Sequence, residues 1–86
     1  FIQKIYLLDH LNMSFGEHIY TVRKKNNLTA EALAEKCGVA RSYITLIESG
    51  KRLPGKKVIP KLALALNVKK NIIINWYLED LRMKLE

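Results

Sequence analysis

An all-α fold of five short helices behind an apolar N-terminal extension is predicted by three observations. Apolar residues recur at spacings of three and four in successive stretches, and Asn, Gly or Ser-Gly signals close those stretches. The chain has 86 residues, enough for a single core. A domain of this size hides only about 60 to 65% of its unfolded surface, so a deep catalytic cleft would compete with the core for the same side chains.

The first helix is read from Phe15, Ile19 and Val22, with Glu17, Arg23, Lys24 and Lys25 elsewhere around the wheel, and it ends at Asn26 and Asn27. Thr29 offers a side-chain oxygen to cap a second helix over residues 30–37, with Glu31 in its first turn. Gly38, able to take a left-handed backbone, closes it. The third helix covers residues 40–48, with Ile44 and Ile47 on the buried face and Arg41, Ser42 and Thr45 opposite. Ser49 and Gly50 stop it, and residues 51–57 form a basic loop punctuated by Pro54 and Gly55. Val58, Ile59, Leu62, Ala63, Ala65 and Leu66 form the fourth helix, which tolerates Pro60 in its first turn and ends at Asn67.

From Asn71 the pattern turns helical again, and Ile74, Leu78, Leu81 and Leu85 fall at four, three, four spacing, a seam suited to a dimer interface. Ile72, Ile73, Trp76, Tyr77 and Met83 add a second apolar face. The N-terminal Phe1, Ile2, Ile5, Tyr6, Leu7, Leu8 and Leu11 likewise exceed what a small core needs, and apolar surface on this scale marks a partner. The chain therefore divides into an extension over residues 1–14, a domain over residues 15–68 and a C-terminal dimerisation helix over residues 69–86. Met13 is a candidate native start, which makes the extension a dimer arm or an expression remnant.

Apolar residues make up 49% and charged residues 27%, a globular composition rather than that of a disordered tail. Fifteen Lys and Arg against eight Asp and Glu give a net charge of +7, which favours a polyanionic partner, nucleic acid ahead of an anionic membrane. The charge is localised. Lys51, Arg52, Lys56, Lys57, Lys61, Lys69 and Lys70 lie between Ser49 and the end of that segment with no acid among them, whereas the rest of the chain balances eight basic against eight acidic residues. A basic cluster directly after an exposed short helix is what phosphate clamping requires.

Other chemistries find no residues. Cys37 is the single cysteine, read as a buried apolar side chain in a reducing compartment. His10 and His18 are the only histidines, so no metal site can be drawn, and His18 is read as a surface or boundary residue or else a phosphate contact. Apolar runs are far shorter than a membrane span, and Asp9, His10 and Asn12 interrupt any signal peptide. Neither a nucleophile with its base nor a glycine-rich phosphate loop can be assembled, so no enzymatic activity and no cofactor are expected.

Two short helices joined by a tight turn cross steeply only where small side chains line the crossing, and Ala34 and Gly38 are assigned there. Leu33, Val39, Ile44 and Ile47 seat the second helix of the pair on the first, completing a helix-turn-helix unit. Residues 28–52 read Leu-Thr-Ala-Glu-Ala-Leu-Ala-Glu-Lys-Cys-Gly-Val-Ala-Arg-Ser-Tyr-Ile-Thr-Leu-Ile-Glu-Ser-Gly-Lys-Arg, followed by Leu53 and Pro54 and then by Leu-Ala-Leu-Ala-Leu-Asn-Val at the end of helix four. Through these residues the stretch 15–68 resembles the phage repressor and Cro family of DNA-binding domains, the XRE-like group.

The resemblance implies a five-helix, lambda-repressor-like domain whose third helix enters the major groove of double-stranded DNA. By position, Arg41, Ser42 and Thr45 look like base readers. Arg41 can bind guanine O6 and N7 together, worth roughly 1 to 3 kcal/mol of discrimination, with a phosphate contact or a solvated arginine as the other readings. Thr45 brings a methyl group suited to thymine, and Leu46, at a position often polar in the family, either meets thymine methyls or shields the groove wall. Lys51 and Arg52 are the first phosphate contacts and Lys56 and Lys57 the next, joined by Thr29, Tyr43 and Ser49. Arg23 and Glu48 are placed by the resemblance as a partly buried ion pair between helix one and the end of helix three.

Three departures stand out. Ala30 occupies a position where glutamine commonly holds a phosphate, Ala40 replaces the usual Ser or Thr cap of helix three, and Gly55 with Pro60 blurs the start of helix four. The expected function is a sequence-specific transcriptional regulator from a bacterium, phage or plasmid, cytoplasmic at the nucleoid. It would act as a homodimer on a palindrome and repress by excluding polymerase. The alternative is an antitoxin or adaptor that docks a protein partner on its apolar ends. A membrane role is disfavoured because Glu79, Asp80 and Glu86 break up any basic face of the last helix.

Overall fold

The computed structural model describes residues 13–85, and the readings made for residues 1–12 lie outside them. Within that span the chain forms α1 (Phe15–Lys25), α2 (Ala30–Cys37), α3 (Arg41–Glu48), α4 (Val58–Leu66) and α5 (Lys70–Leu85), with no strand among the described residues. The fold is all-α, as the periodicity implies.

Local chemistry sets the boundaries. A capping box starts α1: Ser14 Oγ accepts from the Glu17 amide at 3.1 Å, and Glu17 Oε1 accepts from the Ser14 amide at 2.8 Å. Asn27, at φ 56°, reverses the chain after α1. Thr29 caps α2, its Oγ1 accepting from the Ala32 amide at 3.0 Å, and Gly38 closes that helix at φ 66°. Helix α3 begins at Arg41 rather than at residue 40, because Ala40 sits extended at φ −73° and ψ 149° and makes no side-chain cap bond. Pro60 is the third residue of α4, where it interrupts no intrahelical bond, and Asn67 ends that helix at φ 56°.

All five helices contribute to one core. Phe15 and Ile19 of α1, Leu33 and Cys37 of α2, Ile44 and Ile47 of α3, Leu62 and Leu66 of α4 and Ile73 of α5 are buried together. Beyond the helices, the Asn26 side chain donates to the Leu66 carbonyl at 2.9 Å and joins the end of α1 to the end of α4.

Two expectations are corrected. Ala34 is buried in the core, but a Cβ added at Gly38 would meet nothing within 4 Å, so Gly38 serves the turn through its backbone and does not line a crossing. The close approach belongs to Gly16, where a Cβ would lie 2.2 Å from the Ile47 carbonyl oxygen and 2.8 Å from that of Glu48. The crossing pinched by a small residue is thus that of α1 with the end of α3. His18 is the second correction: it is buried, not at the surface, and the Trp76 ring of α5 stacks flat on its own at 4.4 Å.

Helix α5 packs on α1 and α4 through Ile73, Trp76 and Tyr77, with Tyr77 edge-on to Phe15 at 5.6 Å. On the opposite seam Ile74 is 39%, Leu78 55% and Leu85 88% exposed, and Leu81 is half-buried. No helix among the described residues is long and apolar enough to cross a membrane.

Candidate nucleic-acid interface

Helix α3 is short, and eight residues of helix have little stability of their own, so its orientation must come from its attachments. At its start, the Val39 amide donates to the Ala34 carbonyl at 3.0 Å, folding the turn against α2. Ile44 and Ile47 then anchor it in the core. At its end, Arg23 Nε and Nη2 grip Glu48 Oε2 and Oε1 at 2.6 and 3.0 Å, and Arg23 Nη1 donates to the Leu28 carbonyl at 2.8 Å. One buried guanidinium therefore ties together α1, the turn before α2 and α3. Its hydrogen bond to Glu48 raises the Arg23 pKa, outweighing the burial that opposes the charge.

Anchored this way, α3 turns Arg41, Ser42, Thr45 and Leu46 outward, and the four side chains line one open depression. Thr45 Oγ1 donates to the Arg41 carbonyl at 3.3 Å, which leaves an acceptor oxygen and a methyl group for an incoming edge. Leu46, turned by helical period away from the face of Ile44 and Ile47, is 37% exposed. Arg41 also borders a second depression, shared with Lys24, Asn27, Thr29 and Ala30. Helical period alone does not mark Lys24 and Asn27 as part of this surface. The Lys-Lys pair closing α1 is the available signal, and only the tertiary structure brings Lys24 to the same depression as Arg41.

After α3 the backbone doubles back. The Lys51 and Arg52 amides both donate to the Leu46 carbonyl, at 3.0 and 3.2 Å, with Gly50 at φ 80°. Lys51, Arg52, Lys56 and Lys57 all emerge exposed from this loop. All three of the expected hydroxyl contacts make hydrogen bonds within the chain. Ser49 Oγ donates to the Leu46 carbonyl at 3.1 Å, and Tyr43 Oη accepts from the Gly55 amide at 3.1 Å. The Arg52 guanidinium lies over the Tyr43 ring at 5.0 Å. Thr29 is exposed with its oxygen on the Ala32 amide. The site carries exposed cations and one apolar side chain, and Arg41 lines two open depressions within it. Such a surface suits a polyanion with a groove.

Comparison with known proteins agrees with this geometry. The family described as Helix-turn-helix matches residues 19–73. The chain is similar to the HTH-type transcriptional repressor RghR of Bacillus subtilis (strain 168), 43% identical over 56 residues that cover 64% of this chain and 42% of RghR. It spans between 42% and 64% of the length of RghR and of two proteins of Bacillus phage phi105 that it also matches. Among solved structures it resembles the restriction-modification controller protein C.AhdI from Aeromonas hydrophila, with a TM-score of 0.65 at 34% identity over 69% of this chain and 89% of that one. It equally resembles the master regulator for biofilm formation SinR in complex with DNA, with a TM-score of 0.65 at 31% identity over 70% of this chain and 97% of that one.

Proposed function

The chain belongs to the Helix-turn-helix family, and on that premise we propose that it is a transcriptional regulator, a repressor, which binds a specific double-stranded DNA sequence as a homodimer. It acts by occupancy and not by catalysis. The observation that carries this reading is the division of α3 into two faces: Ile44 and Ile47 in the core, and Arg41, Ser42, Thr45 and Leu46 together on the outside. The printed descriptions of RghR as a transcriptional repressor and of SinR as a regulator in complex with DNA support it.

Each residue then has a role. Arg41 reads a base edge, with Ser42 and Thr45 beside it and Leu46 against a thymine methyl. Lys51, Arg52, Lys56 and Lys57 neutralise phosphates of the flanking backbone, and Thr29 with Ser49 fixes the register by hydrogen bonding. The homodimer is supported by the exposed seam Ile74, Leu78 and Leu85 with Leu81 beside it. Pairing that seam about a two-fold axis removes apolar surface from water and presents two α3 helices to successive turns of a palindrome, about 34 Å apart. The place of action is the DNA itself, the nucleoid in a bacterial cytoplasm.

Selection of bound sequences from a random duplex pool at fixed salt tests the reading. A palindromic consensus is expected, and recovery of unenriched sequence would defeat it. Light scattering of the free protein tests the dimer. A monomer that aggregates until another protein covers the seam would instead favour an adaptor with a protein partner.

A further inference from the structure

Tyr43 occupies the third position of α3, half-buried, with its ring against the loop that carries the basic cluster. It touches that loop twice. The Gly55 amide donates to its hydroxyl at 3.1 Å, and the Arg52 guanidinium sits over its ring at 5.0 Å. Between those two contacts lie Leu53, half-buried, and Pro54, fully buried, so the intervening chain is pinned as well. Resting on this reading of α3 and its loop as a DNA-binding surface, we propose that Tyr43 is a positioning residue. It clasps the loop at Arg52 and Gly55 and so presents the Arg52 guanidinium to a backbone phosphate.

The physical case rests on what each contact leaves free. A guanidinium over an aromatic ring makes a cation–π contact that takes up none of its hydrogen bonds, so N–H donors directed away from the ring stay available to phosphate oxygens. An exposed arginine has several rotatable bonds to immobilise on binding, and a contact with the ring formed beforehand removes part of that cost. The hydroxyl is engaged differently from the direct phosphate contact expected from sequence: its oxygen accepts from Gly55, which fixes the loop's far side where Lys56 and Lys57 follow. Tyr43 thereby couples the helix that reads bases to the loop that holds the backbone, and the two parts of the surface keep a fixed spacing.

A double-mutant cycle tests this, using duplex affinity measured across a salt series for the full chain, Tyr43→Leu, Arg52→Ala and both together. Each single change is expected to weaken binding about fivefold and lower the salt slope by about one, and the double variant should match the worse single. Tyr43→Phe keeps the ring, so it should hold the slope while the Gly55 amide exchanges its hydrogen faster. Additive losses in the cycle, or an unchanged slope in Tyr43→Leu, would overturn the clasp. An affinity loss in Tyr43→Phe as large as in Tyr43→Leu, at unchanged slope, would place the hydroxyl itself on a phosphate and overturn it too. Thermal unfolding of each variant separates these effects from loss of fold. If Tyr43→Leu does not fold, unchanged Gly55 exchange in Tyr43→Phe is the overturning result. Failure of the unaltered chain to bind any duplex sinks the DNA reading and this role together, whereas binding with an additive cycle sinks only the role of Tyr43.

Discussion

Arg23 and Glu48 stand 25 positions apart in the chain and meet in a two-point ion pair at 2.6 and 3.0 Å, their side chains about nine-tenths buried. Removing one partner of such a pair strands a buried charge, which costs far more than the pair is worth against an apolar replacement. Glu48→Ala is expected to lower stability by about 3 kcal/mol in urea denaturation. Arg23→Lys should fail to restore it, since an ammonium cannot reach both Glu48 oxygens and the Leu28 carbonyl at once. A loss under about 1 kcal/mol would mean that α3 is oriented by its isoleucines alone.

Gly16 meets the end of α3 backbone to backbone. In an ordinary helix Gly→Ala gains about 1 kcal/mol, but here the new Cβ would lie 2.2 Å from the Ile47 carbonyl oxygen. Gly16→Ala is expected to destabilise by about 3 kcal/mol or more in the same assay, and to weaken DNA binding beyond the loss of folded protein because α3 is displaced.

Ala40 leaves the first amides of α3 without a side-chain cap while already holding the extended backbone that a cap needs. Ala40→Ser is expected to raise stability by about 1 kcal/mol, read as a shift of the urea midpoint at constant slope. No shift would mean that solvent already serves those amides as well.

Arg41 and the Lys51–Arg52 pair are expected to separate in binding assays. Arg41→Ala should flatten preference at one or two base positions, each by roughly 1 to 3 kcal/mol, and leave affinity for random duplex nearly intact. Replacing Lys51 and Arg52 by Ala should weaken every sequence alike and lower the salt slope by about two. A uniform loss from the Arg41 variant would reassign that side chain to a phosphate.

Cys37 is a buried thiol whose pKa burial pushes above its ordinary 9.0, with Lys61 opposing. A native pKa above the unfolded one means the native state holds the proton more tightly. This contribution to stability is therefore whole below pH 9 and declines as pH rises through the higher native value. Thiol labelling at neutral pH is expected to proceed only as fast as the chain opens, so labelling rates should follow stability across the variants above.

Much of this was legible in advance because it is decided locally. The end of α1 at Asn26 and Asn27, the cap at Thr29, the left-handed turn at Gly38 and the stop at Asn67 each follow from the chemistry of one or two residues. The outward set on α3 follows from helical period, since Ile44 and Ile47 leave only one face for Arg41, Ser42 and Thr45. Ser14 and Glu17 spell a capping box, a local signal that fixes the start of α1.

What period and caps cannot express is which helix lies against which. His18 adjoins the apolar stripe of α1, and only the tertiary structure stacks the Trp76 ring of α5 on it. Gly16 looks like any helical glycine until the carbonyls of Ile47 and Glu48 arrive beside it. Tyr43 looks like a free hydroxyl until the loop brings Gly55 and Arg52 to it. The sequence by itself determined five helical segments, the ends marked by Asn27, Gly38 and Asn67, and the cationic strip after the third. Tertiary structure alone decided which of two apolar faces of α5 the core would take, and which polar side chains would be engaged by distant backbone. Those outcomes depend on contacts between residues far apart in the chain, whose energies exist only once the helices have met.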